Sequence, residues 1–169
     1  NRFDASSGTW NGAQLLESEN AGDADYPQIS TDADGNAIAV WQQYDGTRNN
    51  IYANHFDAST DTWGTAELIE SDNSGDASSP QISADTDGNA IALWRQSDGS
   101  NISIYANHFD AGTNTWGTAE LIESGDAGDA FSPQFGTDAD GNAIAVWYQS
   151  DGTRYNIHAA RFDLQAITP

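Results

Sequence analysis

A 53-residue unit repeats along almost the whole of this chain. Asn-His-Phe-Asp stands at residues 54–57 and again at 107–110, while Asn1-Arg2-Phe3-Asp4 and Ala160-Arg161-Phe162-Asp163 fall in the same register. A period of this length points to a solenoid, a propeller or another pseudo-symmetric β fold built from one supersecondary unit. The chain ends are out of phase with the unit, and that offset constrains how the fold closes.

Each unit reads as four strands. In the first full copy, residues 27–31 alternate behind Pro27, which suits a strand start or edge. Residues 32–36, Asp-Ala-Asp-Gly-Asn, are turn chemistry, because Asp and Asn bond their own backbone and Gly supplies positive φ. Residues 37–43 form a strand apolar on both sides, so both faces are expected to be buried. Asp45-Gly46 turns the chain into a third strand at 50–56, and residues 63–70 form the fourth. The helix formers at 66–70 are too few for a stable helix. Short links within a unit and a longer polar link between units describe a propeller blade.

With the four strands of a unit labelled A to D in chain order (27–31, 37–43, 50–56 and 63–70 in the first full copy), the chain reads D, ABCD, ABCD, ABC. This is the signature of an all-β β-propeller with four-stranded antiparallel blades and three blades per chain. Residues 1–18 supply strand D, 26–71 and 79–124 are blades, and 132–163 give strands A to C of the last blade. Three blades do not close alone, and an open half-ring exposes apolar faces and strand edges. The expectation is therefore a homodimer forming a six-bladed ring, each last blade taking strand D from its partner's N-terminus. A β-trefoil, also three units of about four strands, is the alternative.

Composition narrows the function. The net charge is −21, and the five basic residues are all arginine. Nucleic acid and anionic membranes are poor partners for such a surface, because binding to them needs clustered cations. No apolar run approaches membrane-spanning length. Cysteine is absent, and so is methionine, position 1 included. Any export would be directed by sequence outside these residues. The acidity fits a secreted or cell-surface protein kept soluble by self-repulsion.

The segment Pro27-Gln28-Ile29-Ser30-Thr31-Asp32-Ala33-Asp34-Gly35-Asn36, continuing through Trp41 to Phe56-Asp57, resembles tandem repeats of large exported bacterial proteins. Its turn is similar to a loose Asp-box, with an extra residue between Asp32 and Gly35 and a later Trp. The resemblance implies an extracellular propeller-like module and carries no established activity.

Three sets of residues are candidates for function. The paired carboxylates Asp32/Asp34, Asp85/Asp87 and Asp138/Asp140 space oxygen ligands by two, which suits Ca²⁺, the one cofactor the sequence suggests; the alternative is a hairpin closed by Asp–backbone bonds. Trp10, Trp63 and Trp116 open strand D and suit stacking on a sugar ring or packing on a blade edge. Tyr44, Asp45, Arg48, Asp98, Asp151, Arg154 and Tyr155 surround the B–C turns and suit a polyhydroxylated ligand or a solvated rim. The histidines fall in no metal or nucleophile motif, and a symmetric chain is a poor host for one asymmetric catalytic site. The reading is a non-catalytic, lectin-like or adhesive module with repeated glycan sites. The alternative is a purely structural repeat of a large surface protein.

Overall fold

The computed structural model describes residues 1–18, 21–71, 74–124 and 128–162. Asp163, expected to end the last unit, lies outside them, as do parts of each polar inter-unit link. Among the described residues there are fifteen strands and no helix. β1 (Phe3–Asp4) and β2 (Thr9–Trp10) pair as a short hairpin. The first large sheet contains β3 (Ala24–Thr31), β4 (Ala37–Tyr44), β5 (Asn49–Asp57), β6 (Thr62–Trp63) and β7 (Glu67–Leu68). The second repeats it with β8 (Ala77–Ala84), β9 (Ala90–Ser97), β10 (Ile102–Asp110), β11 (Thr115–Trp116) and β12 (Glu120–Leu121). The third has β13 (Ala130–Thr137), β14 (Ala143–Ser150) and β15 (Tyr155–Phe162). All pairings are antiparallel. No sheet closes on itself, so the trefoil alternative has no barrel among the described residues.

Two local differences from the sequence reading have clear causes. Strand A begins three residues early, at Ala24, Ala77 and Ala130, because a bulge absorbs the proline. The register shifts between Asp25 and Gln28, where Tyr26 takes φ 53° ahead of Pro27; Ser79 and Ser132 do the same in the later units. Proline lacks the ladder N–H, so pairing breaks and resumes around it.

Strand D, expected as one run over 63–70, is instead two short bridges, β6 and β7, both on β5. A buried asparagine occupies the gap. Asn54 Nδ2 donates to the carbonyl of Gly64 in its own unit and to that of Leu16 in the preceding one. Asn107 repeats this with Gly117 and Ile69. The side chain thus replaces ladder bonds and ties unit to unit. The N-terminal strand expected over 10–17 is likewise limited to β2, and residues 11–18 pack against the first sheet through Leu16 and Glu17.

The core lies between sheets. Ile38, Val40 and Ile51 of the first sheet pack on Ala77, Ala90, Ala92 and Trp94 of the second. Ile91, Leu93 and Ile104 of the second pack on Ala130, Ala143, Ala145 and Trp147 of the third. Alanines let the sheets approach closely, and one tryptophan per interface fills the remaining volume. Each indole is anchored: Trp41, Trp94 and Trp147 donate Nε1–H to Gln43, Gln96 and Gln149. Gln43 and Gln96 then donate to Glu17 and Glu70 of the preceding unit. Strand B was expected to be buried on both faces; β4 is so from Ala37 to Gln43. In β14 only alternate residues are buried.

Candidate functional site

Strand register sends the candidate residues to opposite ends of the sheets. The A–B turns lie at one end with the C–D turns, since Ala37 pairs Phe56 and Phe56 pairs Trp63. The B–C turns lie at the other, where Tyr44 pairs Asn49. Some seven strand residues separate the ends, roughly 23 Å. Trp10, Trp63 and Trp116 therefore do not share a site with Tyr44, Asp45, Arg48, Asp98, Asp151, Arg154 and Tyr155.

At the B–C end the carboxylates are engaged in their own turns. Asp45 accepts from the Thr47 and Arg48 amides and from Asn50 Nδ2, at 2.7, 3.0 and 2.8 Å. Asp98 accepts from the Ser100 and Asn101 amides. Asp151 accepts from Thr153 N and Oγ1, Arg154 N and Asn156 Nδ2. These donors hold all three below the usual carboxylate range, the Arg48 amide leading for Asp45, the Asn101 amide for Asp98 and the Thr153 hydroxyl for Asp151. Arg48 Nε reaches Asn50 Oδ1, Arg154 Nε stands 3.6 Å from Asp151 Oδ2, and the Tyr44 hydroxyl donates to the Gly46 carbonyl. Tyr155 packs against Tyr148 and Phe131.

The A–B turns behave as closed hairpins. Asp32 accepts from Asp34 N, Asn36 N and Asn36 Nδ2, and Asp85 and Asp138 repeat the set with Asp87/Asn89 and Asp140/Asn142. Asn36 and Asn89 pass the order on to the C–D turns by accepting from Ala58 N and Ala111 N. The three turns rim one shallow depression of about 270 Å³ that includes Asp32, Asp85 and Asp138. Among the described residues no three His, Cys, Asp or Glu side chains are grouped as a metal would require.

The C–D end carries a repeated arrangement that the sequence reading set aside. Arg2, His55 and His108 occupy one repeat position, and each faces the phenylalanine of the next unit. The Arg2 guanidinium lies 5.9 Å from the Phe56 ring; His55 stands 5.5 Å from Phe109 and His108 5.9 Å from Phe162. Each contact borders an inter-sheet groove. The first holds Asn11, Gln14, Trp63 and the Arg2–Asp61 ion pair of 2.6 Å, which is exposed to solvent. The second, about 380 Å³, holds His55, Asp57, Glu67, Phe109 and Asn114. The third, about 210 Å³, holds His108, Glu120, Phe135, Arg161 and Phe162. The signal was in the sequence, as a cation or imidazole one residue before each repeated Phe-Asp, but only stacking of the units shows what it meets.

At the same end each strand-D tryptophan is tilted on a phenylalanine, Phe3–Trp10, Phe56–Trp63 and Phe109–Trp116, with centroids 5.3 to 5.4 Å apart, and Trp63 lines the first groove. Trp63 and Trp116 are half-buried, whereas Trp10 is 64% exposed. In the second groove two carboxyl groups shift in opposite directions. The Ser59 hydroxyl and amide lower Asp57, and partial burial raises Glu67. Phe56 and Phe109 are buried, so the aromatic surface open to a polyhydroxylated ring is that of the tryptophans, with the carboxylates as acceptors for its hydroxyls.

His108 gives a pH test of this region. Burial holds its pKa below the usual histidine range, against the opposing pull of Asp110 and Asp85, and Nε2 is enclosed without a partner among the described residues. The folded state therefore binds fewer protons than the unfolded one. The corresponding stability is complete above about pH 6.5 and is lost as pH falls through the folded pKa. Urea midpoints of the wild type are expected to drop more between about pH 7.5 and 5.5 than those of His108→Asn.

No known protein family matches the chain's sequence, and no curated protein does. Solved structures do resemble it. Hadza microbial sialidase Hz136 superposes with a TM-score of 0.62 at 13% identity, over 86% of this chain and 36% of its own. A protein of unknown function from Dyadobacter fermentans DSM 18053 gives 0.60 at 12%, over 90% and 55%. The endo-arabinase from Bacteroides thetaiotaomicron VPI-5482 gives 0.51 at 17%, over 92% and 61%. The chain thus spans between about a third and three-fifths of these neighbours. At such identities the likeness establishes the fold alone, an all-β arrangement of the β-propeller type.

Proposed function

We propose that this chain is a non-catalytic carbohydrate-binding module of the extracellular space, built from three propeller blades that each offer a weak site. The observation that carries the reading is the threefold recurrence, at the C–D end, of a groove with a carboxylate in its lining, together with three Phe–Trp pairs of which Phe56–Trp63 lines the first groove. Ring faces stack on the apolar side of a sugar while carboxylates accept from its hydroxyls. Repeated sites add through effective concentration. Two of the fold neighbours are named as a sialidase and an endo-arabinase, which supports a carbohydrate setting. The net charge of −21 disfavours anionic sugars, so the ligand class is neutral glycans.

The test is a neutral-glycan array at about 0.15 M salt, with and without Ca²⁺. Binding is expected in both conditions, and Trp10→Ala with Trp63→Ala and Trp116→Ala is expected to weaken it at least about tenfold with the circular dichroism unchanged. Turnover of a chromogenic glycoside that disappears in Glu67→Gln would overturn the non-catalytic reading. The second reading, a purely structural repeat of a large surface protein, is favoured by the engagement of Asp32, Asp45, Asp85, Asp98, Asp138 and Asp151 in their own turns. Silence across the array would favour it.

A further inference from the structure

We infer that the outer face of the third sheet is a docking surface for the first sheet of a second copy of this chain, and that two such contacts close a ring of six sheets. The inference is independent of any carbohydrate ligand.

The repeat itself says what covers the face. Ile38, Val40 and Ile51 are buried by the next sheet, and so are Ile91, Leu93 and Ile104. Their counterparts Ile144, Val146 and Ile157 are 60%, 40% and 79% exposed. The complementary face is open at the other end of the molecule. Ala77 with Pro80 and Ala130 with Pro133 are buried under the preceding sheet, whereas Ala24, Pro27 and Ile29 are exposed. The exposed isoleucine–valine face and the exposed alanine–proline face are the two halves of an interface this chain already makes twice.

The polar contacts repeat in the same sense. Asp76 accepts from the Asn49 amide and Asp129 from the Ile102 amide, both at 2.8 Å. The next step in the series places Asp23 of the second copy against the Tyr155 amide. The strand edge repeats too. Leu68 pairs with Tyr52 on β5, and Leu121 pairs with Tyr105 on β10. β15 has no outer partner among the described residues, and Leu15, which holds the same repeat position, is 75% exposed. Docking places Leu15 of the second copy opposite His158. Because Arg2-Phe3 and Arg161-Phe162 occupy one repeat position, Arg161 then displaces Arg2 of the second copy from Phe56. The end of β15 takes the place of β1 beside β2.

The chain has no cysteine, so an engineered pair reports cleanly. Leu15→Cys with His158→Cys, oxidised at micromolar concentration, is expected to give a disulfide-linked species of twice the chain mass. Light scattering of the unmodified chain is expected to give twice 18.0 kDa, more completely at about 0.5 M salt than at low salt, because the two acidic chains repel. Val146→Asp with Ile157→Asp changes only exposed side chains and is expected to yield a folded monomer. A monomeric mass for the unmodified chain at both salt concentrations overturns the inference. So does a dimer that Val146→Asp with Ile157→Asp leaves intact. A ladder of masses beyond the dimer overturns the closed ring.

Discussion

Replacing Trp94 with alanine is expected to lower the unfolding free energy by about 3–5 kcal/mol. The indole is fully buried at the first inter-sheet contact, against Ile38, Val40 and Ile51 of one sheet and Ala77, Ala90 and Ala92 of its own. It stacks on Tyr105 at 6.5 Å and donates to Gln96 Oε1 at 2.8 Å. Truncation removes the largest side chain from an interface whose other buried members on that sheet are three alanines and Phe109, so little nearby fills the space. The sheet backbones are held by ladders and do not collapse into it. Because the second sheet packs on both neighbours, its loss also uncouples the first from the third, and unfolding is expected to broaden or divide into two steps. Trp10→Ala is the control: with most of its surface in solvent, it is expected to change stability by less than about 0.5 kcal/mol. Urea unfolding followed by far-ultraviolet circular dichroism measures both. A sharp single transition at the wild-type midpoint for Trp94→Ala would contradict this account of the core.

The strand order was legible because it follows from periodicity. A run apolar on both sides, as in residues 37–43, favours burial between two layers, and Ile38 and Ala39, on opposite sides of β4, are both buried. Turn chemistry placed the hairpins because Asp32 and Asp45 accept from backbone amides two residues on, bonds that need no tertiary contact. What sequence did not show was the break in strand D. It depends on Asn54 reaching a carbonyl 38 residues away in the preceding unit, a contact that exists only once units are stacked. The bulge at Pro27 was half legible; the proline announces a broken ladder, but not that pairing resumes beyond it at Ala24 and Asp25.

The candidate site was less legible, and the reason is geometric. Trp63 and Asp45 are both plausible sugar contacts by residue type, yet strand direction carries them to opposite ends of one sheet. The acidic turns invited a metal reading because Asp32 and Asp34 have the right atoms at the right spacing. The closed hairpin uses Asp32 for three internal hydrogen bonds, and the resemblance between a calcium loop and an Asp turn lies in that shared chemistry. His55 and His108 carried no motif, since their partners Phe109 and Phe162 lie one whole unit further along the chain.

The buried glutamine between Trp94 and Glu70 leads to the second large effect. Gln96→Leu keeps the volume but removes the acceptor of the indole N–H and the donor to Glu70 Oε2, at 2.8 and 3.0 Å. Glu70 is 5% exposed and belongs to the preceding unit, so the lost bond is one that joins the units. A hydrogen bond to a charged group contributes more than a neutral one, and a desolvated carboxylate that loses a donor is costly. The expected loss is about 2–3 kcal/mol. If the carboxylate is the source of that cost, Glu70→Gln in the Gln96→Leu background recovers part of it, with a coupling of about 1–2 kcal/mol in the double-mutant cycle. The first unit supplies an internal comparison. Gln43 makes the same bond to Glu17 at 2.8 Å, but Glu17 is only half-buried, so Gln43→Leu is expected to cost less than Gln96→Leu. Equal losses at the two positions, or additivity of Glu70→Gln and Gln96→Leu, would show that burial of the carboxylate is not what gives the glutamine its weight.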